Sequence, residues 1–168
     1  MGKRCSILGS FAVLILATAA GLYAFPPASD ADKTFVGKVS QGGMYEVQAS
    51  KVAEPRATAP DVKDLAVAEV HDHSLVNRGL KTIATKENIP VGSALNATFQ
   101  ERLNKLKSAS GPDFDAAYIA DMQDIHDKDE KLFAQEATEG SDAFKTFAHQ
   151  TDQIVKRHIG ALHGLDGK

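Results

Sequence analysis

The chain has 168 residues, with 19 Lys and Arg against 22 Asp and Glu, a formal charge of −3, and 43% apolar residues. This composition is typical of one domain that can bury a core, and an acidic balance without a basic stripe argues against binding to nucleic acid or to anionic membranes. Cys5 is the only cysteine. If the N-terminal segment that contains it is removed, then disulfides, thiol catalysis and thiolate metal sites are all excluded.

The N-terminus has the layout of a secretory signal peptide. Lys3 and Arg4 precede an uncharged apolar run that ends in small residues. We predict a signal peptide over residues 1–25, export to the periplasm or outer envelope, and no transmembrane domain after its removal. Removal leaves 17 basic residues against 22 acidic ones, a charge of −5. Because the run from Ile7 to Phe25 is nearly long enough to cross a bilayer, the cleavage position and a retained anchor stay open.

Two helices are predicted next along the chain. Residues 26–33, "PPASDADK", read as a flexible linker without structure. Helical spacing starts at Thr34 and is broken by "AEPRATAP". Pro60 and Asp61 suit the start of a second, longer helix, which "ENIP" ends.

The second half of the chain predicts one short and two long helices. Residues 97–107 form a short amphipathic segment that we place in a crossover. A long helix follows from Asp113 to "TEGSD", and Ser141 or Asp142 caps the last one. No segment alternates as a strand would. We therefore predict an all-α domain over residues 34–165, an antiparallel four-helix bundle of ferritin-like type with a short extra helix between helices two and three.

The helical spacing also predicts which histidines face the interior. At ~100° per residue, His71 and His73 point about 160° apart, and the apolar row of their helix passes through His73. The same test turns His158 inward and places His126 at the flank of its apolar row. His149 and His163 turn outward.

One carboxylate and three histidines are predicted to lie at a common height. At ~1.5 Å per residue, His73 and His126 each lie about 20 Å from helix ends that can share one face of the bundle, and His158 is within a turn of that level. Glu46 stands in the inward row of the first helix, and Glu69 precedes His73 by four residues. Asp129 follows His126 by three.

This predicted layer has two interpretations. Buried ionisable groups must be paired, solvated or metal-bound, because an unpartnered one costs several kcal/mol. Histidine and carboxylate ligands without sulfur suit a divalent Zn, Fe, Mn or Cu ion. The first hypothesis is a metal site formed by the residues Glu46, Glu69, His73, His126 and His158. The alternative is a metal-free polar layer that fixes helix register in a structural or interaction module of the envelope or of a stress response.

Four segments resemble a known family: "FVGKVSQGGMYEVQASKVA", "EVHDHSLVNRGLKTIA", "FDAAYIADMQDIHDKDEKLF" and "FKTFAHQTDQIVKRHIGAL". They look like the helices of the bacterial envelope family known as domain of unknown function 4142, whose members are often labelled putative outer membrane proteins. The resemblance implies a ferritin-like bundle in the cell envelope and an Asp-His element that occurs twice. Ile125 replaces the second aspartate of that element, which predicts weaker support for the His126 ring.

The resemblance supplies no reaction. Ferritin-like di-iron enzymes use a glutamate and a histidine three residues apart, whereas Glu69 and His73 are four apart. Oxygen activation is therefore not predicted, and whether the protein is an enzyme at all is left uncertain, leaning to no, with no catalytic residues assigned. The sequence also leaves a homo-oligomer open.

Overall fold

The computed structural model describes residues 28–165, and this part of the chain is all-α. It contains five helices: α1 (Asp30–Arg56), α2 (Pro60–Lys86), α3 (Ala97–Ser108), α4 (Pro112–Glu139) and α5 (Asp142–His163). The predicted helical class is confirmed. The predicted signal peptide over residues 1–25 lies outside the described residues. Within 28–165, no helix combines the length and the apolar character that crossing a membrane requires.

Helix α1 begins earlier than its apolar spacing indicates. Ser29 and Asp32 form a reciprocal capping box: the Asp32 N–H donates to Ser29 Oγ at 3.0 Å, and the Ser29 N–H donates to Asp32 Oδ2 at 2.7 Å. The prediction of a structureless linker is therefore wrong for Asp30–Lys33, because the capping residues make those four residues the first turn of the helix. At the other end, Pro55 is accommodated in the last turn.

The remaining helix starts follow local sequence signals. Pro60 opens α2, where a missing N–H costs nothing, and the Asn96 side chain caps α3 through the Phe99 N–H. Gly111 precedes α4 with φ of 58°, a conformation that favours glycine. Ser141 is the N-cap of α5, but its side chain makes no capping bond, and its N–H donates to Asp32 Oδ1 instead.

The four long helices pack in pairs. Helix α1 lies along α2 and α4 lies along α5, and the pairs meet through α1 against α4 and α2 against α5. Helix α3 contacts α1 and α4. Each long helix therefore has two long neighbours, and the order around the group is α1, α2, α5, α4.

Two separate apolar cores fill the interior. The Phe core is formed mainly by Phe35, Phe133, Phe144 and Phe147, with the Phe35 and Phe133 rings edge to face at 5.5 Å. The Tyr core contains Tyr45, Tyr118, Phe114, Leu65 and Leu162, among others. Along α2, α4 and α5, a short polar stretch separates the residues of one core from those of the other. On α1, Glu46 directly follows Tyr45 of the Tyr core and meets the three polar stretches in one layer.

Candidate metal centre

The polar layer contains every residue that the sequence placed in it. Exposed fractions are 1% for Glu46, 0% for Glu69, 1% for His73, 0% for His126 and 4% for His158. The three histidines predicted to face outward, at positions 71, 149 and 163, are all exposed. The directional predictions from helical spacing are thus confirmed for all six histidines of the chain.

One side of each buried imidazole faces Glu69. His73 Nε2 lies 3.1 Å from Glu69 Oε2. Glu69 Oε1, His126 Nε2 and His158 Nδ1 form a nearly equilateral triangle, with edges of 3.2, 3.1 and 3.2 Å. One ligand atom from each of these four residues lies within 4.8 Å of all the others. Four ligands about 2.1 Å from a tetrahedral ion lie roughly 3.4 Å apart, so this spacing is close to that of a coordination sphere.

The other side of each imidazole faces an oxygen acceptor. His73 Nδ1 is 3.0 Å from Glu46 Oε2, His126 Nδ1 is 2.8 Å from the Met122 carbonyl oxygen, and His158 Nε2 is 3.1 Å from Asp72 Oδ2. Each outward nitrogen can therefore donate its proton to an oxygen, and a neutral ring held in this way presents an unprotonated inward nitrogen to a cation. The inward nitrogens also face the Glu69 oxygens, so without an ion they can carry protons instead.

Glu46 occupies a different place from Glu69. Its Oε2 accepts from His73 on the side away from the convergent nitrogens, and its Oε1 is 3.7 Å from His126 Nδ1. Asp129 lies beside Glu46 and is hydrogen-bonded to it. The structure therefore brings all five predicted residues together, with Glu69 at the centre of the group and Glu46 behind His73.

The electrostatics of the layer are strongly coupled. Burial alone would raise the pKa of both glutamates, but the imidazoles outweigh burial, so that the pKa of Glu46 is lowered and that of Glu69 is lowered well below its ordinary value. Burial would lower the pKa of the imidazoles, but the two carboxylates hold the pKa of His73 well above its usual range and that of His126 at about 9. Burial and the adjacent Glu46 raise the pKa of Asp129 well above its ordinary value.

Sequence reasoning missed two of the groups that orient the rings. Asp72 supports His158 on the facing helix, and the Met122 carbonyl supports His126 from one turn before it. The expectation that Ile125 weakens the support of His126 is wrong, because a backbone oxygen supplies it and Ile125 is buried in the Tyr core. The signal for Asp72 in the sequence was its place directly before His73, at the edge of the inward row of α2.

The fold and this layer define an all-helical protein with a buried cluster of three histidines and a glutamate. A family model described as domain of unknown function (DUF4142) matches residues 17–165. The chain belongs to this family, as the resemblance of its four helical segments indicated. No curated protein matches the chain significantly.

The chain is similar to a solved structure, a DUF305 fragment from Deinococcus radiodurans, with a TM-score of 0.74 and 14% sequence identity. The match covers 83% of this chain and 97% of the fragment. At this identity the likeness concerns the fold alone. It supports the helical architecture and says nothing about the buried layer.

Proposed function

We propose that the protein binds one divalent transition-metal ion through Glu69, His73, His126 and His158. The observation that carries this proposal is the orientation of the three rings. Each imidazole gives its outward nitrogen to an oxygen acceptor and turns its inward nitrogen toward Glu69. In metalloproteins this pattern fixes the tautomer and the aim of metal-bound histidines. Glu46 and Asp72 then orient ligands and do not themselves bind the ion.

The competing explanation is a metal-free layer held by protons. In this arrangement, two imidazolium ions balance the negative charges of Glu46 and Glu69. One divalent ion bound to three neutral imidazoles gives the layer the same net charge. The proton arrangement is crowded, because donors on His126 Nε2 and His158 Nδ1 would lie 3.2 Å apart and share the single oxygen Glu69 Oε1. If one of the two inward protons is instead on His73 Nε2, that donor has no hydrogen-bond partner with acceptable geometry. A cation relieves both defects.

The ligand atoms favour Zn²⁺ as the first ion to test. Three imidazole nitrogens and one carboxylate oxygen complete a tetrahedral set, which Zn²⁺ accepts readily, and Fe, Mn and Cu(II) are compatible with the same atoms. Because four protein ligands leave a tetrahedral ion without an open position, we assign binding, and not turnover, to this site. Burial of all four side chains agrees with that assignment.

The experiment is metal analysis of protein purified without a His tag and dialysed against Zn²⁺. We expect about one ion per chain in the wild type and none in the double variant His73→Ala/His126→Ala. The matched control His149→Ala/His163→Ala removes two exposed histidines and is expected to keep one ion. Equal metal content in the two double variants would refute the proposed site, as would an empty wild type.

We further propose that the helices form a ferritin-like antiparallel four-helix bundle with α3 in its crossover, and that the chain is exported to the periplasm or outer envelope. The support is the pairwise packing of the long helices, the similarity of the fold to the DUF305 fragment, and the signal-like N-terminal sequence. Fractionation of cells that produce the full chain, with N-terminal sequencing of the product, tests the export. Unprocessed protein in the cytoplasm would contradict it.

The second candidate function is a metal-free structural module. The ionic pairs between the imidazoles and the two glutamates favour it, since they fix the register of α1, α2, α4 and α5 without any ion. It predicts that His73→Leu folds normally or gains stability, because an apolar side chain would join the two cores. A large loss of melting temperature in that variant, with the wild type stabilised by Zn²⁺, would count against this alternative.

A further inference from the structure

Two clefts approach the buried layer from opposite sides of the helix packing. A groove of about 520 Å³ runs between α2 and α5, and a cleft of about 640 Å³ lies between α1, α3 and α4. Because all four ligands are buried, the ion that we propose needs a route to them, and these two clefts are candidates. The two clefts differ in their charge and in their distance from the ligand atoms.

The groove between α2 and α5 reaches a metal ligand directly. His158 lines it, and Asp72, which accepts from His158 Nε2 at 3.1 Å, lies beside it with 18% of its side chain exposed. A single hydrogen-bonded contact therefore separates the ligand from solvent. On the opposite side, the cleft is lined by Asp129, which is hydrogen-bonded to Glu46, and Glu46 in turn accepts from the outward nitrogen of His73.

The linings of the two surfaces differ in charge. The acidic residues Asp61, Asp64 and Asp72 occupy one side of α2 along the groove. The one cation in the groove lining, Arg157, is bound to Asp72 at 3.1 Å. The lining of the opposite cleft contains Lys38, Arg102 and Lys128 beside a single carboxyl group, that of Asp129, and both Arg102 and Lys128 are paired with Asp124. A divalent cation is therefore attracted more strongly to the acidic groove.

From these observations, and resting on the proposed function, we propose that the groove between α2 and α5 is the route by which the metal ion enters and leaves. Asp61 and Asp64 attract the cation at the mouth, and Asp72 passes it to His158. The route needs only a rotation of the His158 side chain, which lies five residues before the end of α5 and two residues before the exposed Gly160.

The first test measures the rate of Co²⁺ uptake by its visible absorption in stopped flow. The variant Asp61→Asn/Asp64→Asn removes two charges from the groove without touching a ligand. We expect its association rate to fall roughly threefold to tenfold at low salt, and the difference to vanish near 1 M salt. The matched control Asp127→Asn/Glu101→Gln removes two exposed charges elsewhere and should keep the wild-type rate. Equal rates in the two double variants would overturn the route.

A second variant tests the route by obstruction. Ala161 is exposed and lines the groove, so Ala161→Phe covers the approach to His158 while leaving the core intact. We expect roughly tenfold slower Co²⁺ uptake and chelator-driven release, with an unchanged dissociation constant, because a barrier affects both directions equally. Gly42→Ala adds a methyl group over Asp129 in the opposite cleft, at ordinary contact distances of 3.8 to 3.9 Å. It should change neither rate.

The outcomes separate the two proposals. If the folded wild type binds no Co²⁺ or Zn²⁺, the proposed function fails and the route fails with it. If the wild type binds one ion and Gly42→Ala slows uptake while Ala161→Phe does not, the function holds and the route is wrong. Circular dichroism of each variant establishes that it is folded before its rates are compared.

Discussion

At the scale of single residues, the two glutamates of the layer perform different tasks. Glu69 has both carboxylate oxygens among the inward nitrogens, whereas Glu46 bonds to the outward nitrogen of His73. A direct ligand and a group that orients a ligand affect metal binding by different amounts. Removal of an orienting partner typically costs 10-fold to 100-fold in affinity.

This difference predicts unequal effects for two isosteric substitutions. Glu46→Gln should keep one Zn²⁺ per chain and raise the dissociation constant roughly 10-fold to 100-fold. Glu69→Gln replaces an anionic ligand with a neutral amide and should weaken binding by a further order of magnitude or more. Competition titration with a chromophoric chelator measures both constants. Equal losses in the two variants would show that Glu46 is itself a ligand.

A second pair of carboxyl groups lies far from the layer, where α1 meets the end of α4. Burial and a hydrogen bond to Asp32 raise the pKa of Glu136 to about 7. Burial would also raise the pKa of Asp32, but the N–H groups of Ser141 and Ser29 hold it below its ordinary value. Below pH 7, Glu136 therefore keeps its proton and donates it to an ionised Asp32.

The sign of the pH dependence follows from the raised pKa of Glu136. Its protonated form contributes stability that is fully present below its ordinary pKa near 4.5 and is lost as the pH rises through 7. Glu136→Gln mimics the protonated form at every pH. We expect the free energy of unfolding of the variant to exceed that of the wild type by on the order of 2 kcal/mol at pH 8 and to match it near pH 4.5. Urea titrations at the two pH values measure this, and a constant difference would contradict the prediction.

At the scale of elements, Gly43 determines how closely α1 approaches α2. A Cβ atom at this position would lie 2.2 Å from Asn77 Oδ1, and its next two neighbours are also atoms of the Asn77 side chain. Gly37, two turns earlier on the same helix, has no atom within 4 Å of such a Cβ. The two glycines therefore separate the cost of contact from the gain in helix propensity.

We predict opposite effects for the two alanine substitutions. Gly37→Ala should stabilise the protein by about 0.5–1 kcal/mol through helix propensity. Gly43→Ala should destabilise it by about 1 kcal/mol, because Asn77 must leave its rotamer. Adding Asn77→Ala to Gly43→Ala should restore the wild-type free energy of unfolding. Additive effects in this double-mutant cycle would show that the Asn77 contact is not the cause.

At the scale of the whole molecule, the polar layer divides the interior into two cores and connects four helices. An ion bound in this layer would cross-link α2, α4 and α5 directly and α1 through Glu46. Binding that occurs only in the folded state adds its free energy to the stability of the entire domain.

The melting temperature should therefore depend on metal. At a free Zn²⁺ concentration of 100 times the dissociation constant, the free energy of unfolding should rise by about 2.7 kcal/mol. For a domain of this size, this raises the melting temperature by on the order of 10 °C. The double variant His73→Ala/His126→Ala should show no shift. Calorimetry with and without Zn²⁺ measures it, and an equal shift in the double variant would assign the effect to ions bound elsewhere.

The sequence by itself determined the helices and the direction of each histidine. A period of 3.6 residues fixes which side chains share a face, so His73 could be separated from His71 without any knowledge of the partner helices. The sequence also placed the inward residues of the layer at one height along their helices, because the rise per residue is constant. It misplaced the start of α1, where the Ser29 and Asp32 cap extends the helix beyond its apolar pattern.

Only the tertiary structure decided how the side chains of the layer divide their roles. Which imidazole nitrogen meets Glu69, that Asp72 on α2 supports His158 on α5, and that Glu46 stands behind His73 all depend on rotamers and on contacts between helices. The contact between Asp72 and His158 joins residues 86 positions apart in the chain. Helical periodicity fixes the direction of a side chain on its own axis, but the neighbour that it meets is set by packing, which no single helix encodes.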